Sequence, residues 1–108
     1  MKLNILGTEY TLEFRSRSDD SYLQEGNDGY CDETTKELIV EDMEPEHGSK
    51  RNLKDYQKKV IRHEIVHAFL FESGLSENST WIHNEDAIDW ISSQMPKMVQ
   101  VMMEADAL

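Results

Sequence analysis

His63-Glu64-Ile65-Val66-His67 lies near the middle of a stretch in which apolar residues recur every three or four positions. This periodicity predicts an amphipathic helix over residues 52–73, about six turns long. Asn52 is a suitable N-cap with Asp55 three positions later, and Gly74 is a suitable stop. The apolar residues that define the helix face are Leu53, Tyr56, Val60, Ile61, Ile65, Ala68 and Phe69.

The two histidines of this stretch are four positions apart. On a helix, that spacing puts both imidazole rings on one face, where they can bind one metal ion. Glu64 lies beside the first histidine, within reach of a water at an open coordination position. The pattern is typical of a catalytic zinc site. We therefore predict that His63 and His67 bind one Zn²⁺ ion and that Glu64 is the catalytic base.

The residues before this helix predict two β-hairpins. Residues 2–6 and 10–15 have strand character and form the first hairpin. Residues 16–29 are polar and glycine-containing, which indicates a loop. Residues 30–32 and 38–40 predict the strands of the second hairpin, so the sheet should be small and mostly antiparallel.

The residues after the motif predict further helix. A second helix should begin between residues 79 and 84, and Pro96 either kinks it or opens a third one. We expect a separate C-terminal helix, whose methionines fill the core. The predicted fold is α+β, with one domain over residues 1–108: a small sheet packed on the motif helix, then a glutamate-bearing helix and a C-terminal helix.

Composition narrows the possible partners and compartment. The chain has 22 acidic and 11 basic residues and a net charge of −11, so nucleic acids and anionic membranes are poor partners. Without a membrane-length apolar stretch or a signal peptide, we expect a cytoplasmic protein. The single Cys31 excludes an internal disulfide, and we expect it on a half-buried strand. We expect a solvated basic helix face from Lys50, Arg51, Lys54, Lys58, Lys59 and Arg62.

Two histidines leave a catalytic zinc site incomplete, because such sites usually have three protein ligands and one open position. The metzincin pattern would need glycine at position 70 and histidine at position 73, where this chain has Leu70 and Ser73. The third ligand must therefore come from farther along the chain. The candidates near the start of the second helix are His83, Glu85, Asp86 and Asp89.

The sequence Asn84-Glu85-Asp86-Ala87-Ile88-Asp89 resembles the N-E-x-x-x-D element of the gluzincin metallopeptidases, which pair it with an upstream H-E-x-x-H. The resemblance covers residues 52–90. It implies that Glu85 is the third zinc ligand and that Asp89 accepts a hydrogen bond from the spare ring N–H of His63. An i, i+4 carboxylate pair can provide one ligand and one acceptor that fixes the histidine tautomer.

The order of strands, H-E-x-x-H helix and glutamate helix is also similar to the minigluzincins, which have a minimal, single-domain zincin-like fold. This resemblance implies a zinc metalloendopeptidase that acts on a peptide or protein substrate. If residues 38–40 form a sheet edge beside the helix, they could hold an extended peptide by strand addition. Thermolysin-like enzymes have a further subdomain whose His and Tyr groups stabilise the tetrahedral intermediate, and this chain lacks it. Substitutes would come from His83, Tyr56, Tyr30 or His47.

Other classes of protein fit the pattern to different degrees. The main alternative is a catalytically weak, latent or inactive zincin-fold binding or regulatory protein that retains the zinc site. A carboxylate-bridged di-iron bundle would need two E-x-x-H motifs, and this chain has one. A structural zinc is disfavoured because cysteine ligands are lacking and because Glu64 would have no role. The oligomeric state does not follow from the sequence.

Overall fold

The computed structural model of the protein describes residues 1–44 and 52–108. Within these residues a four-stranded sheet is combined with four α-helices, which confirms the predicted α+β class. The elements in chain order are β1 (Lys2–Ile5), β2 (Thr8–Arg15), a 3₁₀ turn (Arg17–Asp19), α1 (Ser21–Gln24), β3 (Gly29–Asp32), β4 (Glu37–Glu41), α2 (Leu53–Glu72), α3 (Leu75–Asn78), a second 3₁₀ turn (Trp81–His83) and α4 (Glu85–Glu104).

The sheet has the strand order β1-β2-β4-β3. Both predicted hairpins are confirmed, because β1 pairs antiparallel with β2 and β3 pairs antiparallel with β4. The sheet is nevertheless mixed, since β2 and β4 are parallel. Residues 38–40 therefore lie in a central strand and form no edge, which fits their complete burial. The edge next to α2 is β3.

The helix α2 has the predicted caps and packs on the sheet. The side chain of Asn52 accepts a hydrogen bond from the Asp55 N–H at 3.2 Å, and Gly74 has a left-handed φ of +84° just after the helix. The predicted helix over residues 52–73 is thus confirmed. The core between α2 and the sheet contains Ile5, Tyr10, Leu12, Leu38, Val40, Val60 and Ala68.

Glu72, the last residue of α2, ties the helix to the sheet. Its carboxylate accepts hydrogen bonds from the Lys36 Nζ at 2.7 Å, the Tyr10 hydroxyl at 2.8 Å and the Thr8 hydroxyl at 3.1 Å. The bond from Lys36, followed by that from Tyr10, holds the pKa of Glu72 below its usual value. Donors from β2 and from the residue before β4 therefore fix the C-terminal end of the helix.

Gly29, the first residue of β3, allows α2 to lie close to the sheet edge. A Cβ atom at this position would be 2.9 Å from both the Ile39 carbonyl oxygen and the Val60 Cγ1, and 3.4 Å from the Glu64 Cγ. Any larger residue would force the helix and the strand apart, because a tightly packed contact cannot absorb an added methyl group without movement. The absence of a side chain at residue 29 therefore places Glu64 directly beside β3.

The helix α4 runs without interruption from Glu85 to Glu104, so the expectation of a separate C-terminal helix is wrong. Pro96 lies inside it and has no N–H to donate to the carbonyl of residue 92. The Arg62 Nε of α2 donates to this Ser92 carbonyl oxygen at 2.7 Å instead. A donor from the neighbouring helix thus replaces the bond that proline removes, and the helix continues.

The basic residues before the motif only partly form the predicted solvated face. Lys54 and Lys58 are exposed, as expected. Arg62 bonds to α4, and the Lys59 Nζ lies 3.1 Å from the Asp89 Oδ2 of the same helix. Two of these residues therefore help to join α2 to α4. The predictions for Lys50 and Arg51 lie outside the described residues.

The methionines beyond Pro96 do not fill the core, so that expectation is also wrong. Met98, Met102 and Met103 are exposed, Met103 to 65% of its surface. The packing of α4 against the rest of the described chain ends near Met95, and its last two turns extend into solvent. None of the helices in residues 1–44 and 52–108 combines the length and the apolar composition that crossing a bilayer requires.

The contact between Arg62 and Ser92 generates a stability prediction. The substitution Arg62→Met leaves the carbonyl of the fully buried Ser92 without this donor, so the free energy of unfolding should fall by about 1–3 kcal/mol. In a Pro96→Ala background, residue 96 has its own N–H, and the same substitution should cost less. Chemical denaturation of the four proteins of this double-mutant cycle measures the coupling. An equal cost in both backgrounds would contradict the assigned role of Arg62.

Candidate metal centre

His63, His67 and Glu85 converge at the contact between α2 and the start of α4. The His63 Nε2 lies 2.9 Å from the Glu85 Oε2 and 3.2 Å from the His67 Nε2. The His67 Nε2 lies 3.2 Å from the Glu85 Oε1. Asn84 caps α4 by accepting the Ala87 N–H at 3.1 Å, which sets the helix start immediately before Glu85. The structure therefore brings together the three predicted ligands.

These distances fit the ligand shell of a metal ion. A tetrahedral ion bound at 2.0–2.1 Å has ligand atoms about 3.3 Å apart, close to the separations seen here. One ligand atom from each of the three residues lies within 4.8 Å of the other two, so the group could hold a metal ion. Asp86 and His83, the other candidates for the third ligand, are not members of this group.

The polar atoms of this group also need a cation or a proton between them. The His63 Nδ1 lies 3.4 Å from the Asp89 Oδ1, the oxygen of the carboxylate that the resemblance implies as the acceptor of its N–H. A neutral ring that keeps its proton on Nδ1 has a lone pair on Nε2. This lone pair faces the Glu85 carboxylate, and two acceptors at 2.9 Å repel each other. A cation at the centre of the group would remove the repulsion.

His67 is kept in the form that binds metals. Burial lowers the pKa of its imidazole, and the Glu85 carboxylate only partly opposes this effect. A lowered pKa favours the neutral ring at neutral pH, and the neutral ring is the metal-ligand form of histidine. The surroundings of His67 therefore favour the neutral ring, which has a lone pair free to bind a metal ion.

Glu64 is buried, with only 6% of its surface exposed, where α2 passes β3. Burial, followed by the nearby Glu85 charge, raises the pKa of its carboxyl to about 8. The side chain nevertheless lines the same cleft as the three converging residues. Glu64 is therefore a carboxyl group held in a poorly solvated position beside the candidate metal site.

The cleft has a volume of about 710 Å³ and lies between the edge strand β3, the helix α2 and the start of α4. Its lining includes Gly29, Tyr30 and Cys31 of β3, together with His83 and Glu85. Burial raises the pKa of the half-buried Cys31 thiol to about 12, so this cysteine is not a nucleophile at neutral pH. The cleft thus joins an open strand edge to the converging ligands.

The residues predicted to stabilise the tetrahedral intermediate differ in whether their side chains are already hydrogen-bonded to a carboxylate. The Tyr30 hydroxyl donates to Asp20 at 2.6 Å, and the Tyr56 hydroxyl donates to Asp28. His83 lines the cleft, and its ring has no hydrogen-bond partner in residues 1–44 and 52–108. The prediction for His47 lies outside the described residues. Among those that the structure describes, His83 is the candidate whose ring is not already committed to a carboxylate.

Lys59 and Gly29 contribute to the site, although neither belongs to the two motifs that predict it. The Lys59 Nζ and the His63 Nδ1 bind opposite oxygens of the Asp89 carboxylate, at 3.1 Å and 3.4 Å. The signal for Lys59 was present, because it precedes His63 by four positions and lies on the same helix face. Gly29 gave no comparable signal, since its role depends on a contact between distant parts of the chain.

Comparisons of the chain with models of protein families, with curated proteins and with solved structures find no match. The gluzincin resemblance therefore depends on the H-E-x-x-H and N-E-x-x-x-D residues themselves and on how the fold brings them together.

Proposed function

We propose that the protein is a zinc-dependent peptidase of the gluzincin type with a minimal zincin-like fold. His63, His67 and Glu85 bind one zinc ion, and Glu64 is the general base. The observation that carries this proposal is the convergence of two imidazole nitrogens and one carboxylate within 3.3 Å of one another, beside a buried glutamate in an open cleft. Two histidines and one carboxylate are a ligand set of catalytic zinc, which leaves the fourth position open.

Each residue of the site has its own role in the proposed reaction. Bound zinc supplies a Lewis acid, which makes water more acidic and polarises a substrate carbonyl. The Glu64 carboxylate accepts a proton from the attacking water and then donates it to the nitrogen of the leaving amine. The Asp89 Oδ1 lies 3.4 Å from the His63 Nδ1 and would accept its N–H, which would direct the Nε2 lone pair toward Glu85 and His67. His83, which also lines the cleft, is assigned to stabilise the developing negative charge on the carbonyl oxygen.

The edge strand β3 gives the cleft a way to hold a peptide. Its inner side pairs with β4, and its outer side faces away from the sheet. An extended peptide can add to such an edge through backbone hydrogen bonds, which position it without regard to its sequence. Glu64 lies next to β3 at Gly29, so a peptide on this strand would pass beside the general base. This assignment replaces the predicted strand at residues 38–40.

Metal binding tests the assigned ligands. Purified protein loaded with zinc and then desalted should contain one zinc ion per chain, measured by mass spectrometry of the metal. Glu85→Gln should lose this stoichiometric zinc, because a neutral amide is a poor zinc ligand. Asp86→Asn is the matched control: it removes one negative charge from the neighbouring exposed residue and should retain the zinc. Zinc lost from the control and kept by Glu85→Gln would overturn the ligand assignment.

Hydrolysis tests the role of Glu64. Glu64→Gln keeps the shape of the side chain but removes the base, so kcat should fall by about 10²- to 10⁴-fold while the bound zinc remains. The measurement uses a quenched-fluorescent peptide mixture and the zinc content of the same samples. Undiminished hydrolysis by the variant would exclude Glu64 as the base. A zinc-loaded wild type that binds peptides without cleaving them would instead support the alternative, a zincin-fold binding protein.

The contact between Lys59 and Asp89 generates a prediction about zinc affinity. Lys59→Met removes the cation that holds the Asp89 carboxylate in place beside His63, so it should weaken zinc binding by up to about tenfold. Lys59→Arg keeps the cation and should retain the zinc affinity of the wild type. Lys58→Met is the matched control, because Lys58 is exposed and forms no ion pair within the described residues. Competition with a zinc chelator measures the affinities. Equal affinities of the two Met variants would contradict a role for Lys59.

A further inference from the structure

Of the carboxylates that line the cleft within residues 1–44 and 52–108, all but one have partners or assigned roles. The Asp28 Oδ1 lies 3.2 Å from the Arg17 guanidinium, and the Asp28 Oδ2 accepts from the Tyr56 hydroxyl. Asp89 contacts Lys59 and His63, while Glu64 and Glu85 belong to the proposed zinc site. The exception is Glu33, which lines the cleft and is exposed to solvent.

Glu33 has no ion-pair or hydrogen-bond partner in residues 1–44 and 52–108. The cation closest to it in sequence, Lys36, is engaged elsewhere, because its Nζ lies 2.7 Å from Glu72 and above the Phe71 ring. Among the described residues that line the cleft, Lys59 is the only lysine or arginine, and this lysine is paired with Asp89. The cleft therefore presents an uncompensated negative charge at Glu33.

The backbone around Glu33 is held in place. Glu33 directly follows β3, and the neighbouring Asp32 carboxylate accepts hydrogen bonds from the backbone N–H groups of Thr34 at 3.0 Å and Thr35 at 3.3 Å. These bonds close the turn to β4, so the Glu33 side chain starts from a fixed position at the end of the edge strand. Its charge also reaches into the cleft, because it contributes, after burial and Glu64, to the raised pKa of Cys31.

We propose that Glu33 binds a lysine or arginine side chain of the substrate and so gives the peptidase a preference for basic peptides. The inference depends on the proposed peptidase function and names its substrate class. Every second side chain of a peptide paired with β3 lies on the same face of the strand, so one of them can reach the turn that follows. The net charge of −11 attracts cationic peptides in general, but only Glu33 adds an unpaired charge at a defined position in the cleft.

Matched peptides test the inference. Each pair of quenched-fluorescent peptides differs only by Lys or Glu at one position, and that position is moved along the peptide. At one position the wild type should have a kcat/KM about three- to tenfold higher for Lys than for Glu. Glu33→Gln should remove this preference and Glu33→Lys should reverse it. The control Glu104→Lys changes the net charge equally at the exposed end of α4, outside the cleft, and should keep both the activity and the preference.

The outcomes separate the two proposals. Hydrolysis by the wild type with no preference for Lys, or a preference that survives Glu33→Lys, overturns the role of Glu33 and leaves the peptidase proposal intact. An equal change in Glu104→Lys also overturns it, because the net charge would then be the cause. If the wild type cleaves nothing, the peptidase proposal fails. Fluorescence anisotropy then measures how tightly the zinc-loaded Glu64→Gln protein binds the same peptides, which tests the preference for basic peptides without hydrolysis. Equal binding of the Lys and Glu peptides overturns the inference.

Discussion

The close contact between α2 and the edge of the sheet at Gly29 is the constraint on which the candidate site depends. With no side chain at residue 29, the helix lies against both β3 and the Ile39 carbonyl, and Glu64 is buried beside the strand. His67 is one turn farther along the helix, so the contact at Gly29 also fixes the position of His67 relative to the cleft. At the C-terminal end of α2, Glu72 fixes the helix through hydrogen bonds from Lys36, Tyr10 and Thr8. The helix is thus held at both ends of its contact with the sheet.

The position of α4 relative to α2 controls whether Glu85 meets the histidines. Arg62 precedes the first histidine directly, and it bonds to the carbonyl of Ser92, which follows Asp89 by three residues. Lys59, one turn before His63, reaches Asp89 itself. Two cationic residues of α2 therefore flank the His63 contact and fix α4 in both rotation and height. The proline that would weaken α4 is tolerated at the point where Arg62 supplies the missing donor.

Local signals in the sequence predicted the hairpins, the caps of α2 and the start of α4, because each depends on residues only a few positions apart. The resemblance to the N-E-x-x-x-D element of the gluzincins implied that Glu85 and Asp89 would face the histidines. The central position of β4 could not be predicted in the same way, since it depends on parallel pairing with β2, which no turn specifies. The continuous helix through Pro96 depends on Arg62 of another helix, and the methionines are exposed because they lie beyond the part of α4 that packs on α2.

The burial of Glu64 supports the proposed function beyond what the cluster of three metal-ligand groups alone can support. Burial and the Glu85 charge raise the pKa of Glu64 from 4.5 to about 8. The free energy of unfolding therefore falls as the pH rises from the pKa of the unfolded chain, 4.5, toward the pKa of the folded protein, about 8. A leucine or methionine would fill this position at the helix–sheet contact without that cost. A cation held by His63, His67 and Glu85 would offset the Glu85 charge and favour the ionised form. The burial of a carboxyl group at this place is thus costly without a metal ion and useful with one, which is the pattern expected of a catalytic residue.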